Sequence, residues 1–166
     1  MRLFVAVELP DDVRVAVDQI ERPSGDDVRW SRRDAWHITL RFLGEMDDDV
    51  AARAALARVA STSATATIGR VATRVGPTAI ALPVDGLDDL AAAVATAFAG
   101  LPGEERRRFQ GHLTFGRLKR TGRWPSNGVG SLPAELHWRV DELALVRSHL
   151  GGGPAHYEAL ARQQVV

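Results

Sequence analysis

No cysteine occurs in the 166 residues, which removes disulfides, thiolate catalysis and cysteine-based zinc sites together. Net charge is missing as well, since Lys+Arg and Asp+Glu both total 21. A protein that holds long duplexes electrostatically is usually basic, so any contact with nucleic acid is expected to be short and local. No apolar stretch approaches the ~20 residues that cross a bilayer. The apolar run Leu3–Val7 is too short for a signal peptide and Glu8 follows it. A soluble, cytoplasmic protein with no membrane partner is expected. What is present is 45% hydrophobic residues, enough to bury a core in one domain of two lobes over residues 1–166.

Two short stretches repeat. HITLRFLG, His37–Gly44, is echoed by HLTFGRLK, His112–Lys119; each begins His-x-Thr, and 112 − 37 = 75 residues separate the histidines, one copy per half. Side chains of a strand alternate between faces, so a His and a Thr two positions apart share one face. The other face is apolar, with Ile38, Leu40 and Phe42 in the first copy and Leu113 and Phe115 in the second. Each copy reads as a strand with one side against a core and the other presenting an imidazole and a hydroxyl.

An imidazole titrates near pH ~6.5, so of two, one can be neutral and accept a proton while the other is charged and donates one. A threonine hydroxyl beside each can donate a hydrogen bond to an anionic oxygen between them. Neither motif contains a carboxylate or cysteine nucleophile, so the pattern suggests in-line displacement at phosphorus by water. Paired histidines also bind metals, but a metal would want a third protein ligand, and neither motif has an Asp, Glu or Cys adjacent on the same face. His37 and His112 are therefore candidate catalytic residues, Thr39 and Thr114 candidate substrate ligands, and no metal is expected.

Around the motifs the chain reads as alternating elements. Arg2–Leu9 is apolar on both faces, as a central strand would be. Pro10, Asp11 and Asp12 start a helix that runs to about Ile20. Val28–Trp30 is a short strand, the first motif strand stops at Gly44, and a helix runs from Val50 to about Ala60. Strands over Ala66–Val75 and Thr78–Leu82 would be joined at Gly76-Pro77, with Pro83 ending the second or marking an edge. A third helix opens at Asp85–Asp89 and ends near Gly100. The charge run Glu104–Arg108 is expected on the solvated surface, and Thr121–Gly130 is a loop. Leu136–Arg147 reads as one long strand with a break in alternation near Asp141, Gly151–Pro154 as a turn, and His156–Arg162 as the last strand.

The doubled His-x-Thr motif resembles the 2H phosphoesterase superfamily, and its flanks resemble the RNA 2',3'-cyclic phosphodiesterase branch, also called 2'-5' RNA ligases. The opening MRLFVAVELP, HITLRFLGE, FQGHLTFGRLK and the closing ELALVRSHLGGGPAHYEAL lie in that family's order and cover nearly the whole chain. The resemblance implies an α+β fold of two lobes, each an antiparallel sheet, with approximate two-fold symmetry about a central cleft and helices outside. It implies a metal-independent, cofactor-free enzyme that opens RNA 2',3'-cyclic phosphate ends to 2'-phosphates, with weak 2'-5' ligation in reverse. Its partners would be RNA 3' ends or oligonucleotides bearing that cyclic phosphate, and the protein is expected to be a monomer. Position by position, His112 would take the proton from water and His37 would give one to departing O3', with Thr39 and Thr114 on the non-bridging oxygens.

Arg117 stands where the family often has an arginine after the second motif. Strict alternation would point it into the core with Leu113 and Phe115, so a bulge allowed by Gly116 is expected to re-aim it toward substrate. Arg41 shares the face of His37 and Thr39, where it would meet either substrate or a surface ion pair. Trp36, Phe109 and Tyr157 are candidates to stack on a base; His137, His149 and His156 read as surface or turn residues. The chain departs from the family at Gly111, commonly proline, which would loosen the entry to the second motif strand. Two other readings stay open: an esterase of the same superfamily acting on a small cyclic nucleotide or ADP-ribose cyclic phosphate, and an RNA- or nucleotide-binding module without turnover.

Overall fold

The computed structural model describes residues 1–60, 63–103, 108–149, 151 and 155–165. Of the charge run Glu104–Arg108 only the exposed Arg108, and of the turn Gly151–Pro154 only Gly151, lies within the described residues. In chain order the elements are β1 (Arg2–Glu8), α1 (Asp11–Asp18), β2 (Val28–Trp30), a 3-10 turn (Arg33–Ala35), β3 (His37–Glu45), α2 (Val50–Leu56), β4 (Ala64–Ile68), β5 (Thr73–Val75), β6 (Ala79–Asp85), α3 (Asp88–Ala97), β7 (His112–Leu118), β8 (Leu136–Val140), β9 (Glu142–His149) and β10 (His156–Gln164).

The strands lie in the order β10-β9-β1-β3-β7-β6-β4-β8, with β2 also on β7 and β5 also on β6. Every described pairing is antiparallel. Along that path four strands stand on each side of the β3·β7 junction, with β2 and β5 added on the β7 side, and the halves meet there through one registered pair, Ile38 opposite Leu113. The two motif strands start side by side and diverge, which is the approximate two-fold relation expected of an α+β fold with two lobes.

Apolar patterning decides which face is covered. The main core joins Leu3, Val5 and Val7 of β1 to Val13 and Val17 of α1, Leu56 of α2, Leu90 and Val94 of α3, and Ile38, Leu113 and Phe115 of the motif strands. The helices therefore pack on one side of the sheet. On the opposite side of the first lobe a small separate cluster, Phe4, Ala6, Ala144 and Val146 with Tyr157 against it, floors the face that carries His37.

Three expectations are corrected. The single strand over Leu136–Arg147 is two strands: Asp141 separates β8, which pairs with β4, from β9, which pairs with β1 and β10. The break in alternation is where the chain crosses from one lobe to the other. The strand over Ala66–Val75 is likewise divided at Gly69–Ala72; only β5 forms the hairpin with β6, turning at Gly76 with φ +58°, a conformation that costs glycine little. Pro83 lies inside β6 and does not end it. Its carbonyl accepts from Gly69 N at 2.8 Å in the gap between β5 and β4, so its missing N–H falls where the ladder is already interrupted.

Candidate active site

Both histidines begin their strands, and both are fastened in the same way. His37 Nδ1 lies 2.9 Å from Ala35 O, and His112 Nδ1 lies 2.7 Å from Gln110 O. A carbonyl only accepts, so Nδ1 carries the proton in each ring and Nε2 is left as the nitrogen that can exchange a proton with a ligand. The identical tie, two residues back, gives two rings of matching tautomer.

The pair Ile38 opposite Leu113 fixes how the four polar residues meet. Both apolar side chains are fully buried, while His37, Thr39, His112 and Thr114 are all partly exposed, as alternation requires. Continuing that register by one residue places His37 opposite Thr114 and His112 opposite Thr39. The two histidines are then diagonal neighbours, with roots roughly 7–8 Å apart, a span that a phosphate can bridge. Among the described residues neither threonine hydroxyl has a hydrogen-bond partner.

His37 is the more confined ring. It stacks on Phe4 with centroids 4.7 Å apart and meets the edge of Tyr157 at 4.8 Å. Burial pushes its pKa down to about 4, with repulsion from Arg14 and Arg117 adding to the effect against the raising pull of the Ala35 carbonyl and Glu8. At pH 7 it is neutral. The folded protein therefore binds this proton less readily than the unfolded chain, and stability, intact above about pH 6.5, should fall by on the order of 3 kcal/mol as pH drops toward 4. Urea unfolding at pH 7 and pH 4 should show this loss, and His37→Asn should reduce it.

Arg117 is exposed on the histidine face. β6 and β7 shift register between Ala81 opposite Thr114 and Ile80 opposite Gly116, leaving Phe115 as the extra residue. That bulge, one residue before Gly116, returns Arg117 to the row of Thr114 as expected. The same device works against two other expectations in β3, where the β1 pairing skips Leu43 and Leu40. Phe42 is turned outward, 47% exposed, and Leu43 takes its place in the core. Arg41 comes opposite Val5, out of the row of His37, and donates from Nη2 to Leu101 O at 3.3 Å.

Of the stacking candidates, Trp36 is buried in the core and Phe109 packs partly buried against it; Tyr157 alone lies at a motif histidine. His137, which bonds Thr67 Oγ1, and His156, which neighbours His149, are exposed, and the half-buried His149 bonds Glu158. Gly111 is closed in where a loosened entry was expected: Val84 N donates to its carbonyl at 2.9 Å, and a Cβ would lie 2.1 Å from Val84 O. The close approach admits glycine and seats the start of β7. Phe4, Glu8 and Arg14 complete the surroundings of His37, and sequence reasoning did not single them out. Alternation along β1 places Phe4 and Glu8 on one face, but only the pairing Glu8 opposite His37 shows that this is the face of the site. Among the described residues no three His, Asp or Glu side chains gather as a metal donor set, and no helix is long and apolar enough to cross a membrane.

A family model described as the 2'-5' RNA ligase superfamily matches residues 9–152. No curated protein matches the chain significantly. Among solved structures, TT0787 of Thermus thermophilus aligns with TM-score 0.78 and 24% identity over 99% of this chain and 98% of its own. E. coli LigT complexed with 3'-AMP gives 0.78 and 24% over 99% and 97%, and LigT complexed with NADP+ gives 0.76 and 23% over the same shares.

Proposed function

The chain belongs to the 2'-5' RNA ligase superfamily, and from that footing we propose that it is a metal-independent phosphodiesterase that opens RNA 2',3'-cyclic phosphate ends by water attack, leaving a 2'-phosphate. The observation that carries the proposal is the pair of histidines, each with Nδ1 tied to a carbonyl and Nε2 left over, on strands joined at Ile38 and Leu113. Two proton-transfer groups on one face, with hydroxyls between them and no acidic nucleophile, suit a reaction in which water attacks one side of phosphorus as an alkoxide leaves the other.

His112 takes the proton from the attacking water. His37 donates to departing O3', and for this it must first be charged. The phosphate anion supplies the reason: its negative charge offsets the repulsion of Arg14 and Arg117, and in an enclosed site an imidazolium pairs strongly with an anion. Substrate binding and proton uptake at His37 are thus one event. Thr39 and Thr114 donate to the non-bridging oxygens as charge accumulates in the five-coordinate transition state, and Arg117 adds positive charge from the same face. Run backward, the site joins a 5'-hydroxyl to a cyclic phosphate, so weak 2'-5' ligation accompanies hydrolysis.

The nucleotide-sized ligands of E. coli LigT, 3'-AMP and NADP+, favour a second reading in which the substrate is a small cyclic nucleotide. Incubation in EDTA with a cyclic-phosphate oligonucleotide and, separately, the matching cyclic mononucleotide decides between them. The proposal expects undiminished turnover in EDTA and a higher kcat/KM on the oligonucleotide. Preference for the mononucleotide supports the second reading, and loss of activity in EDTA contradicts both.

A further inference from the structure

Glu8 raises a difficulty for the mechanism. It stands directly opposite His37 in the β1·β3 ladder, and its side chain belongs to the row of Phe4 and Ala6 on the face of the site. Side chains so paired have Cβ atoms roughly 4.5–5.5 Å apart. A carboxylate at that range is the natural partner of an imidazole. If it took the His37 Nε2–H, the proton meant for the leaving oxygen would be held by protein.

The carboxylate is engaged elsewhere. Arg162 Nη1 donates to Glu8 Oε2 at 2.5 Å and to Glu142 Oε1 at 2.7 Å, while Gln164 Nε2 donates to Glu142 Oε2 at 2.8 Å. The hydrogen bond to Glu8, then that to Glu142, holds the Arg162 guanidinium above its ordinary range. Arg162 lies on β10, which pairs with β9 and not with β1, so its side chain crosses a whole strand to reach Glu8. His37, by contrast, is hydrogen-bonded to the Ala35 carbonyl.

We infer that Arg162 is a positioning residue that holds the Glu8 carboxylate off His37, so that the imidazole stays free to meet the phosphate. Among the described residues the other groups that face His37 hold Glu8 by no hydrogen bond: Arg14 from α1 attracts it through space but donates to Leu9 O and Arg33 O, Arg117 from β7 repels the imidazolium, and Tyr157 from β10 meets the imidazole ring T-shaped. This inference rests on the proposed role of His37 and extends it to a residue distant in sequence.

The test is a titration of the histidine ring signals by NMR in the full-length protein, with His37 assigned by its loss in His37→Asn. The wild-type midpoint is expected well below the ordinary imidazole range, near 4, because the ring is buried. In Arg162→Met the released carboxylate should raise it by about 1–3 pH units, and kcat/KM should fall about tenfold as the imidazolium is captured. Adding Glu8→Gln to Arg162→Met should return both readings toward wild type, and Arg162→Lys, which keeps a cation beside Glu8, should retain the low midpoint. The inference is overturned if Arg162→Met leaves the midpoint unmoved, or if the double variant keeps the defect of the single one, as a mere tether of β10 would. The titration needs no turnover, so a protein that opened no cyclic phosphate would overturn the proposed reaction and leave this reading to the midpoints.

Discussion

Alanine in place of either His37 or His112 should slow cyclic-phosphate opening by about 10²–10⁴-fold. The two losses arise from different halves of one proton transfer. Without His112 the water must attack with its proton still attached; without His37 the O3' alkoxide must leave with no proton donor. Because both groups act in one step, the double variant should be little slower than the slower single variant. Asparagine is the informative control at each position: its amide can keep the tie to the carbonyl of Ala35 or Gln110 that now holds Nδ1, yet it cannot shuttle a proton. A variant that folds, binds product nucleotide and fails to turn over places the loss in proton transfer. Rates within a few-fold of wild type would contradict the assignment.

Valine in place of Thr39 or Thr114 should cost roughly 10²–10³-fold, the range found for removing one donor aimed at a developing oxyanion. Valine keeps the β-branch that suits a strand and removes only the hydroxyl. The hydroxyls have no partner among the described residues, so the substitution breaks no resting hydrogen bond and folding stability should hold. If these hydrogen bonds strengthen as phosphorus becomes five-coordinate, the loss appears in kcat and kcat/KM alike, with KM nearly unchanged. Serine, which restores a hydroxyl, should recover much of the rate. A defect confined to KM would make the threonines ground-state ligands only.

The polar row of the candidate site was more legible in the sequence than the geometry that surrounds it. His37, Thr39, His112 and Thr114 declare themselves because period-two alternation ties a polar row to an apolar row, and the same alternation makes Arg117 an anomaly that only a bulge resolves. Bulges without such an anomaly are silent. Phe42 and Leu43 are both apolar, so nothing in their identity tells which one turns outward, and the fate of Arg41 follows from the extra residue at Leu40 beside it. The crossing at Asp141 does leave a mark, a break in alternation, but a mark that fits a kinked strand equally well. The cradle of His37 is tertiary in origin: Phe4 and Tyr157 come from opposite ends of the chain, and their meeting depends on β9 and β1 pairing between them. The Glu8–Arg162 contact spans 154 positions and has no local signature.

The central claim is that two imidazoles, with their hydroxyl partners, act on a single phosphorus atom. Phosphorus NMR of a 2',3'-cyclic-phosphate oligonucleotide treated with the protein in EDTA and ¹⁸O-enriched water tests it most directly. The predicted result is conversion of the cyclic ester to a 2'-phosphate carrying one solvent oxygen, slowed by about 10²–10⁴-fold with His37→Asn or His112→Asn. A cyclic phosphate left intact, or a 3'-phosphate as product, would contradict it.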